Sequence, residues 1–271
     1  MLKSNTVNML QFSTLSRYCN ISHFITTREG GVSKGAYASM NLGWYSGDDN
    51  ASVCSNFHLL AAAVGLPADR IIAPYQVHKD DIRVLTDDFL SLDAHSRADF
   101  LRGADALVTH LPHVCVSVAT ADCVPVLLYA PDKNVVAAVH AGWRGTVLRI
   151  AAKTVRVMVE NYGCDASKMV AGIGPSISCE AFEVGEEVVD AFSNASFDLE
   201  QIVVRHSVTS KAHIDLWAAN RLQLMEVGLL SSHIETAEIC TYTHYNQFFS
   251  ARRLGIRSGR MLSGIFIDAH Q

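Results

Sequence analysis

Cys123 ends the run TADC (120–123) ahead of the apolar segment VPVLLYA (124–130). His140 closes VVAAVHA (135–141) and opens HAGWRG (140–145). A core strand needs neither a thiol nor an imidazole at such positions, whereas a metal ion or a nucleophilic reaction does. PDKN between the two segments is a turn signal. With Asp132 and Lys133 at the tip, Cys123 faces Gly142 and Pro125 faces His140. Side chains alternate with period two, so Cys123 and His140 become diagonal neighbours on one face, roughly 7–8 Å apart at the backbone. Such a pair can hold one zinc ion, act as a Cys–His nucleophile pair, or be a buried thiol beside a satisfied core histidine. A one-residue slip would send the two groups to opposite faces.

His78, in PYQVHKDD, is the third candidate. By itself it reads as a surface histidine. Joined to Cys123 and His140 it makes one Cys and two His, the set of a catalytic zinc site with an open position. A metal so held lowers the pKa of water toward about 7 and polarises a substrate. The deaminase signature, His-x-Glu followed by Cys-x-x-Cys, is absent, as is His-Glu-x-x-His.

The elements that must place these residues follow from pattern. Residues 21–27 read as a strand entering a long Gly- and Ser-rich loop with Arg28, Asn41 and Asp48. Residues 51–65 read as a helix stopped at Gly65. IIAPYQVHKDDIRVL (71–85) reads as strand, break and strand, and SLDAHSRADF as a polar connection to 104–110. Three β-branched strands follow at 114–120, 124–130 and 135–141. Residues 146–162 read as one helix capped near Thr146 and stopped at Gly163. A strand at MVAGIGP, helices at VGEEVVDAFSN and 215–228, and late strands at AEICTY and GRMLSGIFID complete the chain. Helices alternate with strands, and the hairpin makes the sheet mixed.

The 271 residues fit one large domain spanning 1–271, and 49% hydrophobic residues suffice for a sizeable core. A net charge of −5 with scattered Lys and Arg argues against a nucleic-acid groove. No apolar run has the length of a membrane span, and MLKSNTVNML lacks a signal-peptide pattern. A cytoplasmic protein is expected, its seven cysteines reduced.

QVH (76–78), TADCVPVLL (120–128) and HAGWRG (140–145) resemble the central motifs of the purine nucleoside phosphorylase/polyphenol oxidase family, formerly labelled a laccase domain and also linked to peptidoglycan editing. TTREGGVS…YASMNLG, GIGPSISCEAFEVGEEV, DLWAANRLQL and CTYTHYNQFFSARR…GRM extend the resemblance over nearly the whole chain. The last block departs from the family's pattern at His244 and Ala251. The resemblance implies an α+β fold, a four-layer α/β/β/α sandwich with mixed sheets, distantly similar to cysteine hydrolases of the necrotizing-factor toxins. It implies zinc on His78, Cys123 and His140. It also implies phosphorolysis of adenosine, inosine, guanosine and S-methyl-5′-thioadenosine, with deamination of adenosine as a second activity. Purine nucleosides and phosphate are the expected partners.

Phosphorolysis requires an anion site, for which Arg144, ahead of a helix N-terminus, and Arg28 are candidates. Asn41 and Ser176 are candidate hydrogen-bonding contacts to substrate, and Trp143 could stack on a purine. His78, Cys123, His140 and Arg144 form the expected catalytic set. Three other readings use the same residues: a cysteine amidase with Cys123 as nucleophile and His140 as base, a copper phenol oxidase, and a protein with a structural zinc.

Overall fold

The computed structural model describes residues 7–268. Its largest sheet has six strands in the order Ile234–Thr236, Val170–Ile173, Val124–Ala130, Val135–Ala141, Ala106–Thr109 and Ile82–Leu85. A second sheet has five, ordered Met9–Leu10, Ile21–Thr26, Met261–Ile267, Cys115–Thr120 and Ile71–Ile72. Both are mixed: parallel pairs flank an antiparallel centre in the first, and the Ile71–Ile72 edge is parallel in the second. Glu183–Val184, Ala212–Ile214 and Val203–Arg205 form a small antiparallel sheet. No helix among the described residues is long and apolar enough to cross a membrane.

The central hairpin has the expected register, with Pro125 opposite His140 and Val124 opposite Ala141. Every residue of its two strands is buried, which explains why both read as near-continuous apolar runs rather than alternating ones. Val124, Val126, Val139 and Ala141 lie in one core with Ile150, Val155 and Leu216 of the covering helices. Leu127, Tyr129 and Ala138 lie on the opposite face, in a core shared with Ile25, Val116 and Ile265 of the five-stranded sheet. The far face of that sheet packs Phe24 and Phe266 against Val53, Phe57 and Leu60 of the helix Asn50–Val64. Each such aliphatic side chain, fully buried, contributes about 1.5–3 kcal/mol.

Cys123 and His140 have the parity of Leu127 and Ala138, the face turned toward the second sheet. The segment expected as a strand, a break and a strand has a larger role. Ile71–Ile72 belongs to the five-stranded sheet and Ile82–Leu85 to the six-stranded one. Residues 73–81 therefore cross between the sheets and bring His78 to the end of the hairpin.

Three expectations need correction. SLDAHSRADF is not a polar connection: helices span Asp87–Ser91 and Ala94–Leu101, the second capped by Asp93 accepting from the Ser96 amide. No residue of that second helix is buried, so no apolar stripe marks it. The single helix at 146–162 is two, Trp143–Val147 and Ile150–Tyr162. Arg149 separates them in the left-handed region (φ 61°), held by an ion pair with Glu226 and by stacking over Phe197. Thr146 is buried inside the first helix rather than capping the second. The strand expected at AEICTY lies earlier, at Ile234–Thr236, pairing parallel with Val170–Ile173.

His23 shows how tightly the inter-sheet layer is sealed. Its Nε2 accepts the Phe12 amide at 2.7 Å and the ring is only 3% exposed. Burial lowers its pKa from 6.5 to about 4, outweighing the nearby Glu235 carboxylate. The unfolded chain takes up this proton near pH 6.5 and the folded chain only near pH 4. The contribution is therefore whole above pH 6.5 and shrinks as pH falls through that window, by at most about 3 kcal/mol. His23→Gln retains an acceptor that does not titrate. Its urea midpoint should fall less steeply than the wild type's between pH 6.5 and 4; parallel curves would refute the assignment.

Candidate metal centre and active site

Asp105 enters the fully buried strand Ala106–Thr109 from the preceding loop and is itself completely buried. An ionised carboxylate has only acceptors, and this one is satisfied four times over. Oδ1 accepts Nδ1 of His140 at 2.7 Å and the His78 amide at 3.0 Å. Oδ2 accepts the amides of Val77 at 3.1 Å and Lys79 at 2.8 Å. Burial pushes the Asp105 pKa up, but the His140 ring and these amides more than reverse that and hold it below the usual carboxylate value. With the carboxylate ionised, Nδ1 of His140 must be the donor, which makes Nε2 its candidate ligand atom.

The same amide contacts hold His78 in the left-handed region, at φ 63°. That conformation is uncommon for a non-glycine residue. Gln76 fixes the other end of this turn, exchanging two hydrogen bonds with the backbone of Ala119 at 2.8 and 2.9 Å. Cys123 follows Asp122, also left-handed at φ 81°, whose carboxylate accepts the Thr241 hydroxyl at 2.7 Å and the Arg252 amide at 2.6 Å.

These supports bring His78, Cys123 and His140 together with their ligand atoms all within 4.8 Å of one another. The two imidazoles meet edge to face, centroids 4.8 Å apart. Burial raises the Cys123 pKa, but His140 and then His78 outweigh it and bring the thiol down to about 6. Burial disfavours the His140 cation, yet Cys123 and Asp105 raise its pKa to about 9. The pair therefore favours a thiolate, the form a metal binds. Gly142 supplies the space: a Cβ there would lie 3.1 Å from Sγ of Cys123 and 3.2 Å from Cδ2 of His78.

A thiolate and two imidazoles suit zinc and also softer copper. Among the described residues this is the single group of three or more His, Cys, Asp or Glu side chains that could hold a metal. His78 is exposed, Cys123 half-buried and His140 buried. All three border a cavity of about 660 Å³, whose wall includes Trp44, Tyr45, Tyr75, Trp143, Arg252 and Arg260.

The remaining expected residues do not line that cavity. The Arg28 guanidinium donates to the carbonyls of Ala38 and Tyr245 and stacks over Phe249. Asn41 is buried and organises the wall from behind, accepting the amides of Gly43 and Arg260 and donating to Ser46 and Asp48. Arg144 is exposed and stacks on Trp143 at 4.3 Å. The Ser176 hydroxyl accepts the Trp217 indole N–H at 2.5 Å. Sequence reasoning missed Asp105, Gln76, Arg252 and Arg260. An acid leading directly into the apolar run ALVT was the available signal for Asp105.

The fold and this cluster define a class: a mixed α+β protein with a candidate mononuclear metal centre, three candidate ligands bordering a cavity with aromatic walls. The chain belongs to the family described as multi-copper polyphenol oxidoreductase laccase, whose model matches residues 22–268. It is 48% identical to a purine nucleoside phosphorylase of Bacteroides thetaiotaomicron, covering 96% of each chain. It is 43% identical to adenosine deaminase RL5 of an unknown prokaryotic organism, over 91% of this chain and 94% of that one. The solved structure of YlmD from Geobacillus stearothermophilus superposes with a TM-score of 0.85 at 34% identity, covering 93% of each chain.

Asp105→Asn tests the role of the carboxylate, because an amide offers one acceptor where four donors converge. Affinity for added zinc, measured by chelator competition, should fall roughly 10–100-fold. Unchanged affinity would show that Asp105 does not orient the ligands.

Proposed function

We propose that this chain is a zinc-dependent purine nucleoside enzyme. It carries out phosphorolysis of adenosine, inosine, guanosine and S-methyl-5′-thioadenosine, with adenosine deamination as a second activity. The observation that carries the reading is a cluster of three protein ligands facing an open cavity with aromatic walls. Relatives named purine nucleoside phosphorylase and adenosine deaminase support it. In the same reading the chain is a single cytoplasmic domain spanning 1–271. Its helices and two facing sheets stack as a four-layer sandwich distantly similar to necrotizing-factor-type cysteine hydrolases.

In phosphorolysis the bond from C1′ to the base nitrogen breaks and a bond from C1′ to a phosphate oxygen forms. The proton lost by phosphate ends on the departing base. In deamination, water adds at C6 and ammonia leaves. A zinc ion held by His78, Cys123 and His140 would supply Lewis acidity for either reaction. Asp105 keeps the His140 Nδ1 proton in place, so Nε2 remains a ligand. Tyr75 and Trp143 offer ring faces to a planar base. Arg144 acts through Trp143 by fixing its ring, and Asn41 positions the Gly43–Ser46 wall. Ser176 fixes Trp217 by accepting its indole N–H, and Arg28 secures the early loop.

A structural zinc would call for a fourth protein ligand, and the cluster offers three. A multi-copper oxidase would need further ligand groups, and the described residues supply one. The lowered Cys123 thiol beside His140 favours one alternative, a cysteine amidase acting on peptidoglycan precursors.

Purified, metal-assayed protein incubated with adenosine and phosphate should yield adenine and ribose 1-phosphate; without phosphate it should yield inosine. Cys123→Ser should lose bound zinc and reduce both products about 100-fold or more. Chelator-insensitive turnover with an acyl adduct on Cys123 would overturn the proposal in favour of the amidase.

A further inference from the structure

We infer that the anion site of this cavity is built by Arg252 and Arg260, which would hold inorganic phosphate in the phosphorolysis proposed above. The inference rests on that reading only for the identity of the anion. Both arginines line the cavity, and Arg28 and Arg144 do not.

Among the described residues neither guanidinium forms an ion pair with a carboxylate, although the charge of Arg252 reaches the Glu183 carboxylate. Arg252 donates from Nη1 to the Glu183 carbonyl at 3.1 Å and stacks over Phe182. Arg260 donates to three carbonyls, those of Ile256, Ser258 and Gly259. A guanidinium carries five N–H donors, so each keeps donors beyond those contacts. Asp122 also lines the cavity, but its two oxygens are taken by the Thr241 hydroxyl and the Arg252 amide. It orders the backbone beneath Arg252 and forms no ion pair with either guanidinium.

Arg260 is held in place from several sides. Its amide donates to Asn41 at 2.8 Å, and its carbonyl accepts the Leu42 amide at 3.0 Å. Its stem lies over Gly43, where a Cβ would come within 2.6 Å of Cγ. Burial lowers its pKa, while the charges of Cys123 and Asp122 raise it. The guanidinium borders the same cavity as the ligand cluster. Burial makes a cation without an ion-pair partner costly, and a dianionic oxyanion relieves that cost with charge-assisted, often paired, hydrogen bonds.

The test is calorimetric titration of inorganic phosphate into the purified protein, followed by phosphorolysis kinetics. Arg252→Gln and Arg260→Gln should each weaken phosphate binding and raise the KM for phosphate about tenfold or more. The KM for nucleoside should move by less than about threefold in the same variants. Because Arg260 also ties down three carbonyls, Gly43→Ala serves as a second probe. It keeps the charge, displaces the stem, and should raise the phosphate KM in the same direction. Wild-type phosphate affinity in folded Arg252→Gln and Gly43→Ala would overturn the site. Phosphate binding that depends on these residues, without formation of ribose 1-phosphate, would uphold the anion site and reject phosphorolysis.

Discussion

A carboxylate removed from water is costly unless its oxygens are fully hydrogen-bonded, and Asp105 meets that condition only through groups that belong to the site. Three consecutive amides of the turn around His78 and the ring of His140 converge on it. The dependence is mutual. Without the charge, the turn has no reason to hold His78 in a left-handed conformation, and His140 has no reason to present Nε2. Without the turn, the charge is stranded in a core. The His140 amide also donates to the Asp105 carbonyl at 2.8 Å, so backbone and side chain lock the same two residues together.

The large architecture serves this arrangement by bringing three chain segments to one end of the inter-sheet layer. The hairpin carries His140 on a strand buried on both faces and Cys123 at the residue just before its partner strand, and those strands cannot shift without disturbing packing at near-crystalline density. The crossing segment carries His78 and is anchored to both sheets, through Gln76 to Ala119 and through Asp105 to the hairpin's neighbour. Gly142 keeps the centre of the cluster open. The cavity wall opposite comes from the early loop and the C-terminal segment, cross-linked by Asn41 and Arg260.

The hairpin was legible because its evidence is local. A polar four-residue turn between two β-branched runs fixes register, and register fixes which side chains share a face. The Cys123–His140 pair followed from that alone. Placing His78 beside them needed knowledge that residues 73–81 leave one sheet for the other, which no short-range pattern encodes. Asp105 was hidden for a similar reason: its partners lie far along the chain, and an acid before a strand ordinarily reads as a loop residue. The helix Ala94–Leu101 was missed because none of its residues is buried, so hydrophobic periodicity had nothing to mark. The break at Arg149 depends on a distant glutamate and phenylalanine, and the sequence around it is plausible helix throughout. Arg252 and Arg260 lie within the quoted C-terminal block but were given no role there, because nothing in the surrounding residues marks an arginine as facing a cavity.

The unequal provenance of the three ligands has a bearing on assembly. Cys123 and His140 meet when a short hairpin closes, an event of low contact order and fast timescale. His78 depends on strands that belong to two different sheets, and it is the most accessible of the three. Occupancy by a cation thus registers completion of the long-range topology, and an ion captured early by the hairpin alone would be gripped by two donors and easily shed.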